Sequence, residues 1–341
     1  MNSDSGNKEY GMGSFKALQT SENADGRFET RVLEREIEEL PAGEVLIRVR
    51  YSSLNYKDAL SASGNRGVTR NFPHTPGIDA AGVVAESSVS EFAAGDEVIV
   101  TGYDLGMNTA GGFGQYIRVP AAWVIKRPAG LSLRDAMVLG TAGLTAALCV
   151  DKLEQAGLEP GDDPVLVTGA TGGVGSIAVA LLASLGYNVA AVTGKADQAD
   201  FLTRLGAKQV VERGVLQAGL EKPILKEQWA GAVDTVGGEI LFNVVKSLRR
   251  GASVVCCGLT AGTSFQANVL PFILRGVNLL GVDSVEIPLI TKASMWDKLS
   301  LQWKLPNLDE LVHEIRLQEL PDAIERILAG QQVGRVLVRL D

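Results

Sequence analysis

The sequence predicts an α/β protein in which a β-rich region precedes a parallel, doubly wound sheet. Between residues 15 and 136, short alternating runs such as EVLIRVRYSS and DEVIVTG are separated by Gly, Pro and Asn. This spacing is typical of antiparallel, barrel-like strands. Between residues 137 and 281, apolar strands alternate with amphipathic helices, the order that builds a parallel sheet with helices on both faces.

The length of the chain and the pattern of its tail define the expected domains. With 341 residues, the chain exceeds the size at which a single hydrophobic core usually stops growing. We therefore expect a β-rich domain over residues 15–136 and a parallel-sheet domain over residues 137–281. Residues 282–341 are too few for a further domain, so we expect them to complete the first one. The polar residues 1–14 are expected to form a disordered extension.

Composition excludes several classes of protein. The net charge of -8 comes without a basic block, which argues against nucleic acid and against an anionic membrane surface as partners. No run of 18 or more residues is apolar throughout, so we expect no membrane span, and the N terminus lacks the apolar segment of a secretion signal. Of the cysteines, Cys256 and Cys257 are adjacent in an apolar strand, so we expect buried core packing, no disulfide framework and a reducing, cytoplasmic location.

The segment PVLVTGATGGVGSIAVALLASLG combines a strand, a tight glycine turn and a helix. Its turn fits the dinucleotide fingerprint, except that Ala170 replaces the first glycine. Small residues let the backbone approach a pyrophosphate, which then sits on free N–H groups at the helix start. The alternative is a turn that serves packing alone, but a second strand and helix follow and favour dinucleotide binding. The expected cofactor-binding residues here are Thr171, Gly172, Gly173, Val174 and Gly175.

The end of the next strand indicates which dinucleotide is bound. An NAD enzyme usually carries Asp or Glu there, to accept the 2′-hydroxyl group of the ribose. The strand NVAAVT ends instead in Thr193, Gly194 and Lys195, and Arg213 follows the third strand-like run. A hydroxyl group and two cations favour a 2′-phosphate, so we predict NADPH rather than NADH. The alternative for Lys195 and Arg213 is a solvated surface charge.

Two classes of reductase do not fit this inventory of residues. Short-chain dehydrogenases place the glycine loop near the N terminus and carry Tyr and Lys four residues apart, and here no tyrosine has a lysine at that spacing. Zinc alcohol dehydrogenases need Cys and His ligands in their first domain. Before residue 137 the chain has no cysteine and only His74, which lies between two prolines and is expected to be structural. We therefore expect no metal.

The chain resembles one subgroup of a known family in several longer motifs: SSLNYKDAL, RNFPHTPGIDAAG, GTAGLTAALCV, TGATGGVGS, WAGAVDTVGG and PFILRGVNLLGVDSV. They are similar to the acrylyl-CoA reductase subgroup of the zinc-independent, quinone-oxidoreductase-like medium-chain dehydrogenases/reductases. The run PGIDAAGVV stands where zinc members have a Gly-His-Glu motif. The resemblance covers about residues 15 to 340. It implies a GroES-like β-rich catalytic domain, a Rossmann domain that binds NADPH, and a homodimer.

The resemblance also implies a site at residues 55–58, where zinc relatives hold their first metal ligand beside the nicotinamide. We expect Tyr56 to contact the cofactor and to donate a hydrogen bond to the substrate, while Asn55 and Asp58 hold it in place. In a helix over residues 54–62, Asn55 and Asp58 share one face. The alternative is a cap without chemistry, in which Asn55 is the N-cap and Asp58 belongs to the first turn.

Other residues are expected to line the cleft because of the same resemblance. Thr145, with Thr141 nearby, belongs to a small-residue segment at the expected domain junction, where the alternative is a helix packing contact. Leu259 follows a strand of the parallel sheet, and Ser284 follows the last one. Arg335 in the tail is a candidate for the cofactor or the thioester, against a surface ion pair as the alternative.

Three functions remain open at the level of sequence. The first is NADPH-dependent reduction of the C=C bond of an α,β-unsaturated acyl-CoA, above all acrylyl-CoA. The second is reduction of a quinone, and the third is NADPH binding without catalysis. CoA brings phosphate groups that would benefit from the cations Lys57, Arg66 and Arg70 at the mouth of the cleft, whereas a quinone would not.

Overall fold

The structure is a computed structural model that describes residues 13–340. The expected extension over residues 1–14 therefore lies mostly outside the described residues. Of that range only Gly13 and Ser14 are described, and Ser14 is not part of an extension because it begins the first strand.

The first part of the chain forms short strands that end at turn residues, as the alternating pattern predicts. They are β1 Ser14–Glu22, β2 Phe28–Glu36, β3 Val45–Leu54, β4 Asp79–Ser87, β5 Glu97–Thr101, β6 Tyr116–Val119 and β7 Val124–Lys126. β1 and β2 form an antiparallel pair, and β3, β4, β5 and β7 follow one another antiparallel in a second sheet.

The middle of the chain forms a parallel sheet whose strands are apolar because both faces are covered. Its strands are β8 Pro164–Val167, β9 Asn188–Thr193, β10 Gln209–Glu212, β11 Trp229–Asp234, β12 Leu248–Cys256 and β13 Asn278–Gly281. Their order is β10-β9-β8-β11-β12-β13. This is the doubly wound order of a Rossmann sheet, and it confirms the predicted α/β fold.

The tail supplies β14 (Val312–Arg316) and β15 (Arg335–Arg339). β15 pairs antiparallel with the end of β3, while β6 pairs with the start of β3. The tail therefore packs back onto the first part of the chain, and the second sheet has the order β14-β15-β3-β4-β5-β7.

Helices connect and cover these strands. They are α1 Tyr56–Ala62, α2 Leu133–Gln155, α3 Gly173–Ser184, α4 Ala199–Arg204, α5 Gly238–Ser247, α6 Leu270–Arg275, α7 Leu289–Ser300 and α8 Leu320–Leu328. Within the described residues, only α2 has the length and hydropathy of a membrane span, and 83% of its apolar window is buried inside the protein. A helix in the core of a folded domain has the same length, hydropathy and burial.

α2 packs against both sheets and is interrupted at Gly140, which has φ 53° and ψ -155°. A Cβ atom at this position would lie 2.4 Å from Ser53 Oγ and 2.5 Å from Asp79 Oδ2. The left-handed backbone and the missing space both require glycine here. The kink therefore brings the backbone of α2 directly onto polar groups of β3 and β4.

Candidate functional site

α1 begins immediately after β3, and its first turn is closed by its own side chains. Asn55 is the N-cap, with extended backbone angles, and its N–H donates to Asp58 Oδ2 over 2.8 Å. The Asn55 amide Nδ2 lies 3.2 Å from the same oxygen. The helix begins at Tyr56, two residues later than in the expected range 54–62, because Leu54 still belongs to β3 and the N-cap Asn55 keeps non-helical angles. The capping arrangement is thus present.

Asp58 has no exposed surface, so it acts on the site through its neighbours and does not line the cleft. Its second oxygen, Oδ1, accepts from the N–H of Ile78 at 2.8 Å. Burial and the nearby charge of Asp79 raise the pKa of Asp58 to about 7, although the two backbone donors oppose the shift. The start of α1 is therefore tied to the strand that carries Asp79.

Asp79 is the centre of the polar network and was not among the residues predicted for the site. It is fully buried at the start of β4. Asn55 Nδ2 donates to its Oδ2 over 2.8 Å, and Ser53 Oγ does so over 2.6 Å. From α2, the N–H and hydroxyl of Thr141 donate to Oδ1 over 3.0 and 2.6 Å. One carboxylate thus joins β3, the cap of α1 and the kink of α2.

Arg335, the predicted residue of the tail, lies on the other side of this network. It is 2% exposed, so the alternative of a surface ion pair is wrong. Its Nη1 atom lies 3.3 Å from Asn55 Oδ1, and its Nη2 atom is 4.0 Å from Asp79 Oδ2, too far for a hydrogen bond. Nη2 is buried without a hydrogen-bond partner in the described structure. Burial lowers the pKa of Arg335, while Asp79 and Asp58 oppose that shift.

The glycine loop meets Arg335 at the start of α3. A Cβ atom at Gly173 would lie 3.0 Å from Arg335 Nη1, and Gly334 N–H donates to Thr171 O over 2.9 Å. At Gly175 a Cβ atom would lie 2.2 Å from Gly169 O, so only glycine lets the turn close. Gly172, Gly173 and Val174 keep partial exposure at the helix start. The loop therefore presents backbone N–H groups beside a buried cation with an unsatisfied donor.

The ends of β9 and β10 bring together the residues predicted to read the ribose. Thr193 Oγ1 lies 3.2 Å from Thr171 Oγ1 and accepts from Lys195 N–H over 2.9 Å. A Cβ atom at Gly194 would lie 3.0 Å from the guanidinium carbon of Arg213, so that side chain covers the glycine. Arg213 itself is exposed.

Lys195 is not a freely solvated charge in this structure. Its Nζ donates to Gln332 O over 2.5 Å, at the tail segment that leads to Arg335. Burial lowers its pKa, an effect that Asp197 opposes. The lysine thus connects the end of β9 to the tail.

Two further predicted residues, Thr145 and Ser284, meet between α2 and the chain beyond β13. Their hydroxyl oxygens are 2.8 Å apart, and Thr145 Oγ1 is 2.7 Å from Thr141 O. Both are at least nine-tenths buried. Leu259 stands apart from them, with 52% of its surface exposed at the carboxyl end of the parallel sheet.

Tyr56 is the first residue of α1 and is half-buried. Within residues 13–340 its hydroxyl group has no hydrogen-bond partner, so the group is available as a donor. Lys57 beside it and the exposed Arg70 also keep their charged groups free of side-chain partners in the described structure.

Arg66, the third predicted cation, is already engaged. Its Nη2 pairs with Glu22 at 2.5 Å, and its guanidinium group lies over the rings of Phe28 and Phe72 at 5.5 and 5.1 Å. Arg66 therefore stabilises the hairpin of β1 and β2 and is a poor candidate for phosphate.

The remaining histidine and cysteine predictions concern packing. His74 Nε2 lies 2.9 Å from Gly106 O, and burial lowers its pKa. Cys256 and Cys257 are half-buried, whereas the sequence pattern indicated full burial, because β12 ends at Cys256 and Cys257 lies beyond the strand. Within the described residues, no group of three or more His, Cys, Asp or Glu could hold a metal ion.

The fold and this site define a two-domain dehydrogenase/reductase of the medium-chain family. Models of the alcohol dehydrogenase GroES-like domain and of the zinc-binding dehydrogenase domain match residues 41–129 and 173–300. The chain belongs to the zinc-independent, quinone-oxidoreductase-like branch of that family, with acrylyl-CoA reductases among its relatives. The predicted family membership is thereby confirmed.

Three relatives illustrate the similarity. The chain is 45% identical to the acrylyl-CoA reductase AcuI of Ruegeria pomeroyi, over 95% of this chain and 98% of that protein. The YhdH oxidoreductase of Salmonella enterica, solved in complex with NADP, is 44% identical, with a TM-score of 0.92 over 96% of this chain and all 100% of the other. YhfP of Bacillus subtilis, solved with NAD bound, is 47% identical, with a TM-score of 0.93 over the same shares.

Proposed function

We propose that the cleft between the glycine loop and α1 binds NADPH. The fit rests on the loop at Gly173 and Gly175, which leaves room for a phosphate, and on the unsatisfied Nη2 of Arg335 beside it. A diphosphate supplies the charge and the acceptors that these groups lack. Arg213 and Lys195, at the end of β9, are proposed to favour a 2′-phosphate over a hydroxyl group.

We further propose that the protein reduces the C=C bond of an α,β-unsaturated acyl-CoA, with acrylyl-CoA as substrate and propionyl-CoA as product. The observation that carries this proposal is the unpartnered hydroxyl of Tyr56, held at the start of α1 by the network of Asn55, Asp58 and Asp79. The 45% identity to an acrylyl-CoA reductase over nearly the whole chain supports it.

Each residue has a distinct task in the proposed reaction. NADPH, when bound, supplies the hydride that the β-carbon accepts. Negative charge then develops on the thioester oxygen, and the O–H of Tyr56 stabilises it by donating a hydrogen bond. Asn55 and Asp79 fix the backbone that carries Tyr56, so no reorganisation is needed as the charge develops. The α-carbon receives its proton from water or from Tyr56.

A second candidate substrate is a quinone. A Bacillus subtilis relative with 47% identity carries a name that describes it provisionally as a quinone oxidoreductase. The two candidates differ at the mouth of the cleft, where Lys57 and Arg70 keep free charges that suit CoA phosphates and do nothing for a quinone.

The test is NADPH oxidation with acrylyl-CoA, crotonyl-CoA and benzoquinone, each compared with NADH. We expect the highest kcat/KM with acrylyl-CoA and NADPH. In Lys57→Gln, KM should rise for the acyl-CoA and stay constant for benzoquinone, and Lys208→Gln, an exposed lysine beside β10, is the matched control. Turnover of benzoquinone without turnover of either thioester would show that the protein is a quinone reductase. No turnover of any of the three substrates would indicate a protein that binds NADPH without catalysis.

We also propose a cytoplasmic homodimer. β13 ends the parallel sheet in the described residues, and the neighbouring helix α6 exposes Ile273 and Leu274 at 69% and 52%, next to Val269 at 64%. A second copy of the chain would pair the free edge and cover these side chains. Light scattering should give twice the chain mass of 36.0 kDa, and Ile273→Glu should give the chain mass.

A further inference from the structure

Lys292 is a fully buried lysine that none of the proposed steps uses. It belongs to the first turns of α7 and is 1% exposed. Burial opposes a positive charge, and so does the positive end of a helix dipole. A cation kept in such a place must be stabilised by specific partners.

Three partners surround the ammonium group. Its Nζ donates to Thr101 O over 2.7 Å and to Val285 O over 2.8 Å, and it lies 3.3 Å from the centre of the Tyr103 ring. Two carbonyls and one aromatic face match the three donors of an ammonium group. Lys292 therefore joins two separate segments, the end of β5 and the chain that follows β13.

The segment after β13, residues 283–287, returns the chain from the parallel sheet to the antiparallel one. Tyr103 reinforces the same contact, because its N–H donates to Val285 O over 3.2 Å and its hydroxyl donates to Ile287 O over 3.1 Å. Ser284 lies inside this segment and touches Thr145 of α2. Whatever fixes residues 283–287 therefore also fixes Ser284.

A second path leads from Lys292 to the floor of the cleft. Gly102, next to Thr101, donates its N–H to Ile78 O over 2.9 Å, and Ile78 N–H donates to Asp58 at the start of α1. The ammonium thus sits where the supports of Ser284 and of α1 meet.

We propose that Lys292 is a positioning residue for the cofactor cleft. It holds residues 283–287 against the turn after β5 and so fixes the distance between Ser284 and the start of α1. The inference rests on the proposed NADPH site but not on any substrate. Residues that set the geometry of such a junction change binding and turnover although they touch no ligand.

The first test compares two lysines of α7. Lys292→Met keeps the length of the side chain and removes its donors, whereas Lys298→Met removes a lysine paired with Asp151, away from residues 283–287. NADPH affinity is measured by quenching of tryptophan fluorescence, with thermal unfolding recorded for each variant. We expect Kd for NADPH to rise about tenfold in Lys292→Met and to stay unchanged in Lys298→Met. A change below about twofold in Lys292→Met, with the same loss of Tm as the control, overturns the proposal.

A second measurement uses the native chain and stays informative if Lys292→Met does not fold. Burial lowers the pKa of Lys292 to about 8, and the charges of Glu286, Asp79 and Asp283 oppose this shift. Glu286 and Asp283 belong to residues 283–287, and Asp79 belongs to β4. Burial raises the pKa of Tyr103, so this phenol stays protonated in that range. Kd for NADPH should rise about threefold as the pH passes through about 8, because the ammonium then loses a donor.

Tyr103→Phe removes the hydrogen bond to Ile287 and keeps the ring under Lys292. We expect a smaller rise of Kd in the same direction, about threefold. A Kd that is constant through pH 8 and unchanged in Tyr103→Phe contradicts the proposal. Since these titrations need no substrate, a protein inactive towards every thioester and quinone still yields a result, and failure of the proposed reaction is distinguishable from failure of this inference.

Discussion

The amide of Asn55 bridges two buried carboxylates, with Nδ2 at 2.8 Å from Asp79 Oδ2 and 3.2 Å from Asp58 Oδ2. An amide nitrogen has two hydrogens, so it can serve both acceptors at once. Together with Arg335 the two carboxylates leave a net negative charge in the buried network when both are ionised. Burial, and after it the charge of Asp79, raises the pKa of Asp58 to about 7.

Replacing Asp79 by Asn should destabilise the protein strongly. The amide keeps one acceptor oxygen, so its NH2 group would face either the donors of Ser53 and Asn55 or those of Thr141. Arg335 would also lose a counter-charge. We expect the free energy of unfolding to fall by about 3 to 5 kcal/mol, measured by urea unfolding.

Ser53→Ala is the matched control for Asp79→Asn, because it removes one neutral donor to the same carboxylate. It should lower the free energy of unfolding by about 1 kcal/mol. Equal losses in the two variants would show that the charge of Asp79 has no special role.

Asp58 should make stability fall as the pH rises from about 4 to about 7. Its pKa is raised to about 7 in the folded protein from 3.8, so the folded state holds the proton more tightly. The stabilisation is complete below the unfolded pKa and is lost as the pH rises through the folded one. Asp58→Asn should flatten this slope of the unfolding free energy against pH.

Asp96 is the control, because its pKa is shifted in the direction opposite to that of Asp58. An N–H of Ala93 and the hydrogen bond to Lys126 lower the pKa of this half-buried carboxylate, so its stabilisation is lost as the pH falls below the usual range of an Asp. Asp96→Asn should leave the slope between pH 4 and 7 close to that of the native protein. If the unfolding free energy of the native protein and that of Asp58→Asn changed equally with pH, the raised pKa of Asp58 would be contradicted.

Replacing Gly175 by Ala should weaken NADPH binding. The added methyl group would lie 2.2 Å from Gly169 O and 2.8 Å from the Ala170 Cα, both backbone atoms that must move. We expect a loss of about 1 to 3 kcal/mol in stability and a Kd for NADPH more than about tenfold higher. Gly161→Ala, where nothing lies within 4 Å, should change stability by less than about 0.5 kcal/mol.

Arg213→Gln should affect one cofactor only. Without the guanidinium group over Gly194, Kd for NADPH should rise about tenfold, while Kd for NADH stays constant, as fluorescence titration with both cofactors would show. Arg204→Gln, an exposed arginine of α4, is the control. An equal rise for both cofactors would place Arg213 away from the 2′-phosphate.

Tyr56→Phe should separate chemistry from binding. The variant keeps the ring at the start of α1 and loses the free hydroxyl group, so kcat with acrylyl-CoA should fall about 100-fold with little change in Kd for NADPH. Tyr116→Phe alters a tyrosine of β6 that packs on Phe15 of β1, and it should leave kcat unchanged. Unchanged turnover in Tyr56→Phe would remove the hydroxyl group from the mechanism.

Local patterns account for what could be predicted. The glycine loop is one strand, one turn and one helix in sequence, and the pair of Asn55 and Asp58 lies within one helical turn. Asp79 was missed because its partners come from β3, α1 and α2, although an acid at the start of an apolar strand was a visible signal. For Arg66, a pairing with Glu22, distant in sequence, decided its role.

The sequence by itself determined the order of the strands and helices, the dinucleotide loop and the absence of an acid after β9, because these follow from spacing and residue type along the chain. The tertiary structure decided which charges share one buried site. The cap of α1 brings Asp58 beside Asp79, β15 brings Arg335 to them by pairing with β3, and Gly140 lets α2 approach β4. Lys292 shows the same dependence, since its partners come from two segments that the fold alone brings together.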